Sequence, residues 1–275
     1  MSARRIGRQQ ARVMLTALWC VIAPVYLFPY IWMVLTGIRQ PVDTLAMRWV
    51  FTPTLDGFRS IFNESGFQAY LLNSIVVSVL STLLVLAAAA PAAYSLAHLR
   101  TQGRVFLAAV LLARMVPGIA ILVPIYLAAS AAHVLDTYGV LIVLYTAFNL
   151  PFATWLLRGF FREVPHDVRE AAVLDGCTEW QVFWQVMLPL MTGGLVATGV
   201  FVFIAAWNEF LFALALTQSQ AATAPLSVIS FRNEYGVQWG AIGAAALLIS
   251  TPVVVFAVAM QRYLVRGLTM GSVKG

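Results

Sequence analysis

Long apolar stretches alternate with short polar segments along the whole chain. The stretches that reach the roughly 20 residues needed by a membrane-spanning helix cover about residues 13–36, 71–97, 105–128, 138–157, 191–216 and 239–261. The pattern predicts an all-α, polytopic membrane protein with six transmembrane helices. An even number of spans places both termini on the same side of the membrane.

The composition agrees with this prediction. Of the 275 residues, 61% are hydrophobic and 10% are charged, whereas a soluble domain carries about 25% charged residues. A chain this apolar cannot cover a water-exposed surface with polar groups. It therefore belongs in a lipid bilayer.

Basic residues concentrate on one side of the predicted spans. Most of the seventeen Lys and Arg residues lie in the N-terminal tail, between the second and third stretches, after the fourth and after the sixth. Because cytoplasmic loops are enriched in Lys and Arg, both termini and the loop after the fourth stretch are expected in the cytoplasm. Topology and anionic membrane lipids then account for the net charge of +6. No basic run is interleaved with aromatic residues, so no nucleic-acid partner is expected.

The polar segments suggest how the chain is organised. Residues 1–12 are expected to form a basic cytoplasmic tail, 13–264 the transmembrane domain with its six helices, and 265–275 a cytoplasmic C-terminal tail. The longest external segment is 37–70. Pro and Gly residues interrupt it, and we expect it to contain short interfacial helices.

The cytoplasmic loop at 158–189 is polar and helix-forming, although apolar spans flank it on both sides. Pro165 suits the first position of a helix, and Gly176 suits the left-handed residue that ends one. Thr178 and Gln181 have the spacing of a capping box, which starts a helix. These signals predict one helix over about 165–175 and a second that runs to about Leu188.

A rigid helix-Gly-helix unit suits contact with a moving soluble partner. Glu170 and Asp175 can pair with basic groups, and the small side chains of Ala171 and Ala172 allow close approach. By three-and-four spacing, Val168 shares a helix face with both alanines and with Asp175. Taken alone, these local features leave open that the segment is an interfacial amphipathic loop of some other membrane protein.

Residues 170–176 and 186–189 resemble the EAA loop of ABC-importer permeases, in which Glu-Ala-Ala is followed by Gly and then by a hydrophobic-x-Leu-Pro ending. We call residues 158–189 the EAA loop. Nearly the whole chain is similar to the carbohydrate permeases of the maltose type. The similarity is carried by residues 114–117, 123–126, 206–210 and 261–275. The chain departs from that pattern at Cys177, where a small Ala is usual, and at the bulky Trp180 and Trp184.

The resemblance implies a set of partners. Two homologous permeases would line one pathway, two ATPase subunits would each receive an EAA helix, and an external solute-binding lipoprotein would deliver a sugar, all at a bacterial inner membrane. The residues it assigns to ATPase coupling are Glu170, Ala171, Ala172, Asp175 and Gly176. The tail residues it brings to the ATPase interface are Gly271, Lys274 and Gly275.

The energy source is expected outside this chain. A phosphate-binding loop needs Gly-x-x-x-x-Gly-Lys-Ser/Thr, but the single Lys274 is followed by Gly275. ATP would be bound and hydrolysed by the partner ATPase subunits, and no cofactor is expected here. The three His residues have no metal-ligand spacing, and no nucleophile elbow or carboxylate pair marks an enzyme.

Polar residues within the spans are candidates for the transport pathway. They are Arg114, Asn149, Trp207, Asn208 and Glu209. A mid-helix Arg costs about 2.5 to 3.5 kcal/mol to insert, so Arg114 needs either a structural partner or the solute. Trp207 and its two polar neighbours combine groups that suit a sugar, whereas Asn149 and Asn73 also suit hydrogen bonds between helices.

Two other functional classes stay open at this stage. A stand-alone secondary transporter would need an ion-coupling site within the spans, where acidic residues are sparse. A membrane-embedded enzyme would need catalytic groups that the sequence does not reveal. The sequence also leaves open which sugar or solute is carried.

Overall fold

The computed structural model describes residues 2–46, 48–63, 66–98, 108, 111–112, 115–233 and 236–269, and its regular structure is nearly all helical. The first helices are α1 Ser2–Gly37, α2 Pro41–Leu45, α3 Asp56–Asn63, α4 Phe67–His98 and α5 Gly118–Ala131. Next come α6 Tyr138–Glu163, α7 His166–Leu174, α8 Glu179–Gln181, a π-helix Val182–Met187 and α9 Leu188–Leu190. The last are α10 Thr192–Trp207, α11 Leu211–Leu216, α12 Ala224–Ser230 and α13 Trp239–Thr269.

One short hairpin departs from the all-α prediction. Strand β1, Arg232–Asn233, pairs antiparallel with β2, Gly236–Val237, so that Arg232 lies opposite Val237. Gly236 has a φ of +123°, a conformation that a residue with a Cβ rarely adopts. The chain is therefore helical with a two-stranded ribbon between α12 and α13.

Apolar helices long enough to cross a bilayer account for most of the predicted spans. Within the described ranges there are four of them: Met14–Gly37, Phe67–His98, Tyr138–Glu163 and Trp239–Gln261. A fifth candidate is the bent pair Glu179–Leu190 and Thr192–Trp207, whose axes differ by 77°. The chain is thus a membrane protein that crosses the bilayer several times.

Two predicted spans differ from the observed helices. The stretch 105–128 overlaps α5, an apolar helix of 14 residues, and also includes residues outside the described ranges. The stretch 191–216 is not one continuous helix, because α10 ends at Trp207 and α11 begins at Leu211. At this break the carboxylate of Glu209 accepts hydrogen bonds from backbone N–H groups of α11.

The chain forms two compact units. One comprises the described residues of Met1–Gly66 and Val228–Ser250, and the other those of Phe67–Ser227 and Thr251–Gly275. In the first unit, α1, α3 and the start of α13 meet at glycines. A Cβ added to Gly57 would lie 2.6 Å from the carbonyl oxygen of Gly240, and one added to Gly243 would lie 2.7 Å from the nitrogen of Gly37. These helices therefore pack backbone against backbone.

Gly243→Ala is expected to destabilise this unit, because the added methyl group would collide with the backbone of α1. Overpacking of this kind costs about 1–3 kcal/mol, and the melting temperature of the purified protein in detergent should fall by several degrees. Gly139→Ala is the matched control, since its Cβ would meet nothing closer than 3.9 Å. Equal melting temperatures for the two variants would contradict the tight packing.

The second unit is built around α4. One face of this helix packs against α6 and α10, and its buried residues follow three-and-four spacing. They are Phe67, Asn73, Ser74, Val77, Ser78, Ser81, Thr82, Val85, Ala89, Ala90, Ala93 and Tyr94. Small side chains allow close helix contact here. The same core extends to the EAA loop, whose buried residues include Ala172, Val182, Phe183 and Met187.

Candidate functional site

The first helix of the EAA loop, α7, ends in a tight left-handed turn. The N–H of Gly176 donates to the carbonyl oxygen of Val173 at 3.0 Å, and the N–H of Cys177 donates to that of Ala172 at 3.0 Å. This Schellman arrangement needs a left-handed residue, and Gly176 has a φ of +89°. The prediction of a helix that ends at Gly176 is confirmed. Pro165 immediately precedes the first helical residue.

The second helix of the loop starts at the predicted capping box. The N–H of Thr178 donates to Oε1 of Gln181 at 2.8 Å, and the N–H of Gln181 donates to Oγ1 of Thr178 at 3.4 Å. The helix then widens into a π-helix over Val182–Met187, which the sequence pattern did not predict. Such wide turns are rare and occur frequently at functional sites.

The predicted coupling residues divide between two faces of α7. Glu170, Ala171, Asp175 and Gly176 are exposed, so a partner can reach them. Ala172 is only 8% exposed and belongs to the protein's own core. The single contact face expected from the spacing is therefore wrong, because the helix turns Ala172 and the half-buried Val168 inward. Ala172 packs α7 against the helix bundle.

Large apolar side chains are exposed beside these residues. Leu174 is 87% exposed, and Trp180 and Trp184 are 64% and 50% exposed. The two indole rings pack edge to face with centroids 5.6 Å apart. Exposed apolar side chains of this size are accessible to a protein partner. The EAA loop thus presents both charged and apolar contact groups.

A carboxylate ties the loop to α4. Oε2 of Glu179 accepts a hydrogen bond from the Tyr94 hydroxyl at 2.8 Å, and Oε1 accepts one from the guanidinium of Arg169 on α7. Partial burial opposes the positive charge of Arg169, but the hydrogen bonds to Glu179 and Tyr94, together with the charge of Glu179, outweigh it and raise the pKa of the guanidinium. The sequence analysis singled out neither Tyr94 nor Glu179.

A cleft of about 240 Å³ opens elsewhere in the second unit, among α5, α6, α10 and α11. It is lined by Val116, Gly118, Tyr145, Phe148, Asn149, Ala205, Glu209 and Phe212. The rings of Phe148 and Phe212 stack with centroids 5.0 Å apart and an interplanar angle of 30°. The cleft therefore combines an aromatic pair with hydroxyl, amide and carboxylate groups.

Glu209 is both a lining residue and a helix cap. Its carboxylate accepts hydrogen bonds from the Tyr145 hydroxyl at 2.7 Å, from the N–H of Phe212 at 3.0 Å and from the N–H of Ala213 at 3.2 Å. These bonds satisfy N–H groups that the first turn of α11 would otherwise leave unpaired. The carboxylate thereby holds the break between α10 and α11 in place.

The structure brings together some of the predicted pathway residues and separates others. Asn149 is buried, lines the cleft and donates from Nδ2 to the carbonyl oxygen of Tyr145 at 2.8 Å. Trp207 is 1% exposed and stacks on Phe203 with centroids 5.6 Å apart. Asn208 is exposed, and its amide donates to Ile204 on its own helix at 2.9 Å. Neither Trp207 nor Asn208 is among the residues that line the cleft.

Sequence reasoning missed the aromatic part of the cleft. Tyr145, Phe148 and Asn149 stand at three-and-four spacing on α6, and this periodicity was a usable signal. Phe212 carried no such signal, because the break before α11 brings it into place. Four predicted site residues, Arg114, Gly271, Lys274 and Gly275, lie outside the described residues.

Side chains pin the connection between α11 and α12. Asn73 donates from Nδ2 to the carbonyl oxygens of Gln220 at 2.9 Å and Ala222 at 2.8 Å in this connection. It also accepts from the Tyr138 hydroxyl of α6 at 2.7 Å, as expected of an interhelical partner. Asp136 accepts hydrogen bonds from four successive backbone N–H groups, those of residues 218–221. The connection is thereby attached to α4 and to the segment before α6.

Asp136→Asn is expected to loosen this connection. Burial by itself raises the pKa of Asp136, but the four backbone N–H groups outweigh it and lower the pKa from 3.8 to about 2. A carboxylate with a lowered folded-state pKa stabilises the fold above its unfolded value, and this contribution disappears as the pH falls through about 2. The loss at pH 7 should be on the order of 1 kcal/mol. Melting temperatures should differ at pH 7 and converge as the pH falls from 4 towards 2; a constant difference would contradict the assignment.

No metal site emerges from the part of the chain that the structure describes. No group of three or more His, Cys, Asp or Glu residues there is arranged to hold a metal ion. His98 and His166 approach one another with ring centroids 5.4 Å apart, but a pair of imidazoles alone does not make a closed coordination sphere.

Residues 85–270 match the family described as the binding-protein-dependent transport system inner membrane component. The chain belongs to this family, so it is a permease subunit of an ABC importer and not an enzyme. It is 59% identical over 270 residues to a probable ABC transporter permease protein of Sinorhizobium fredii, with 98% of each chain covered.

A second relative supports the same class, and a solved structure shares the fold. The chain is 40% identical over 228 residues to the trehalose transport system permease of Mycobacterium tuberculosis, covering 82% of this chain and 83% of that one. Its fold matches a chain of a bacterial ABC transporter involved in the import of alginate, with a TM-score of 0.75, 21% identity and coverage of 96% and 98%. At this identity the structural match speaks for the fold alone.

Proposed function

We propose that this chain and a homologous permease form the pathway through which an ATP-driven importer takes up a sugar or a related polar solute. The observation that carries the proposal is the cleft, where Phe148 and Phe212 stack beside Tyr145, Asn149 and Glu209. Aromatic faces with a few polar groups form a surrounding that suits a sugar ring and its hydroxyls. The relative named for trehalose transport supports this solute class.

The EAA loop is proposed to dock into an ATPase subunit. Its exposed Glu170 and Asp175 offer charge, and its exposed Leu174 offers an apolar tip. The Schellman turn at Gly176 supports a rigid shape that can carry force. ATP would be bound and hydrolysed by a pair of such subunits, and this chain would contribute no cofactor site. ATP-driven closure of that pair would move the loop and switch the pathway between inward-facing and outward-facing states.

We further propose six spans with both termini and the EAA loop in the cytoplasm. The four long apolar helices support four spans, and the second helix of the bent pair, Thr192–Trp207, would form a fifth together with α11. The sixth would be α5 together with residues that precede it. The basic flanks support the orientation, and the family description supports the bacterial inner membrane. Arg114 stays a candidate pathway residue, and Gly271, Lys274 and Gly275 stay candidates for the ATPase interface.

The remaining partner is an external solute-binding protein, proposed as a lipoprotein that delivers the sugar. The family description names binding-protein dependence. One solved relative in fold is an alginate transporter in complex with a periplasmic protein that carries an alginate pentasaccharide, with a TM-score of 0.66 over 94% of this chain. Selectivity among sugars would then reside partly in that protein.

A pull-down of the tagged chain from its native membrane in mild detergent tests the assembly. Mass spectrometry should identify an ATPase, a second permease and a solute-binding protein. The purified complex, placed in vesicles, should take up a sugar only when ATP is hydrolysed. Recovery of this chain alone in a form that transports without ATP would overturn the proposal and favour a secondary transporter.

A further inference from the structure

The EAA loop also contacts the helix bundle at points away from its two chain connections. Pro165 lies on the connection from α6, and Met191 lies on the connection to α10. These links tie the loop to its sequence neighbours alone. Contact with α4, which is distant in sequence, includes core packing and a hydrogen bond from Nε of Arg158 to the carbonyl oxygen of Leu96 at 3.1 Å. Tyr94 adds the link to α8, since its hydroxyl donates to Oε2 of Glu179 at 2.8 Å.

One carboxylate joins three elements at this point. Glu179 on α8 uses its second oxygen to accept a hydrogen bond from Arg169 on α7. The side chains of Arg169 and Glu179 are 21% and 45% exposed, so the pair lies at the surface of the unit, where a single ion pair contributes little to stability. The pair matters for geometry, because Glu179 connects both α7 and α8 to the hydroxyl of Tyr94.

The ring of Tyr94 is held firmly in the core. It is 5% exposed and packs against Phe183 of the π-helix at 5.4 Å and Phe161 of α6 at 5.7 Å between ring centroids. Phe183 is itself 2% exposed. A phenylalanine would fill the same space, so the hydroxyl is needed for the bond to Glu179 rather than for packing.

We infer that Tyr94, Glu179 and Arg169 form a joint that makes α4 move together with the EAA loop. The inference rests on the proposed docking of this loop into an ATPase. Since α4 packs along α6 and α10, a displacement that reaches α4 reaches the centre of the second unit. These three are positioning residues, because they carry the movement and contact neither ATP nor solute.

The test uses the complete transport complex in vesicles, with ATP hydrolysis and solute uptake measured together. Tyr94→Phe and Glu179→Ala should leave ATP hydrolysis within about twofold of wild type but lower uptake, so that the ATP used per solute rises about threefold or more. The double variant should be no worse than Glu179→Ala, because both changes break one joint. The double variant Arg169→Glu with Glu179→Arg exchanges the two charges. It should use less ATP per solute than Glu179→Ala does.

Controls separate this joint from a merely structural effect. Tyr26→Phe removes a hydroxyl from a side chain that is 75% exposed on α1, and its ATP use per solute should match wild type. An unchanged ratio in both joint variants, or additive effects in the double variant, would overturn the inference. If the wild-type complex itself shows no ATP-linked uptake, the proposed function fails instead. The same Tyr94 and Glu179 variants, compared by melting temperature in a double-mutant cycle, then still decide whether the two residues are coupled.

Discussion

Gly176→Val is expected to remove most coupled transport while leaving the protein in the membrane. Gly176 has a φ of +89°, and a β-branched residue in this conformation costs about 1–3 kcal/mol. The chain would relieve that strain by opening the Schellman turn, which would displace the exposed tip of α7 from its docking geometry. ATP-dependent uptake in vesicles should fall about tenfold or more, since each 1.4 kcal/mol corresponds to a factor of ten. The amount of ATPase that co-purifies should fall with it.

Two variants control this experiment. Gly139→Val introduces the same side chain on α6 outside the EAA loop, where a Cβ would meet nothing closer than 3.9 Å and the backbone is helical. It should transport at a rate near wild type. Gly176→Asn should be intermediate, because Asn tolerates left-handed backbone better than Val does. Wild-type uptake by Gly176→Val would show that the turn is not needed for coupling.

Glu209→Ala is expected to have the second large effect, on both stability and transport. The change leaves the Tyr145 hydroxyl and the N–H groups of Phe212 and Ala213 without their acceptor. Losing a cap together with a buried hydrogen-bond partner costs about 2–4 kcal/mol. The break between α10 and α11 would rearrange and the cleft would change shape. The melting temperature in detergent and the rate of uptake should both fall clearly.

Glu209→Gln separates the two roles of this residue. Glutamine keeps an acceptor for the helix cap, so stability should fall less than in Glu209→Ala. If the carboxylate contacts the solute, the KM of uptake should rise while the melting temperature stays close to wild type. Asn208→Ala is the neighbouring control, since the Asn208 side chain is exposed and bonds to its own helix. A loss as large as that of Glu209→Ala at position 208 would contradict the assignment.

The EAA loop shows which parts of a structure local sequence can predict. Gly176, Thr178 and Gln181 act within three residues of where they stand, and their turn and capping box form as expected. The π-helix that follows was not foreseen, because its wide turn accompanies the burial of Val182, Phe183 and Met187 against other helices. Helix spacing likewise predicted that Ala172 would face the ATPase partner, but Ala172 is buried in the protein's own core.

The cleft, in contrast, could be predicted only in part from local sequence. Asn149 and Glu209 were candidates as polar residues within predicted spans, and both line the cleft. Trp207 and Asn208 were expected to act with Glu209 on a sugar, yet Trp207 lies in the core and Asn208 is exposed. Phe212 joins the site after a break in the helix that a hydropathy pattern does not register.

By itself, the sequence determined that the chain is a helical membrane protein, the number of its apolar stretches and the helix-Gly-helix shape of the EAA loop. It could do so because bilayer thickness, helix capping and left-handed backbone are properties of consecutive residues. Only the tertiary structure decided which side chains share a cleft, which face of α7 is free and that Tyr94 meets Glu179 across 85 positions of sequence. Those contacts depend on how whole helices pack, and packing is set by many distant side chains at once.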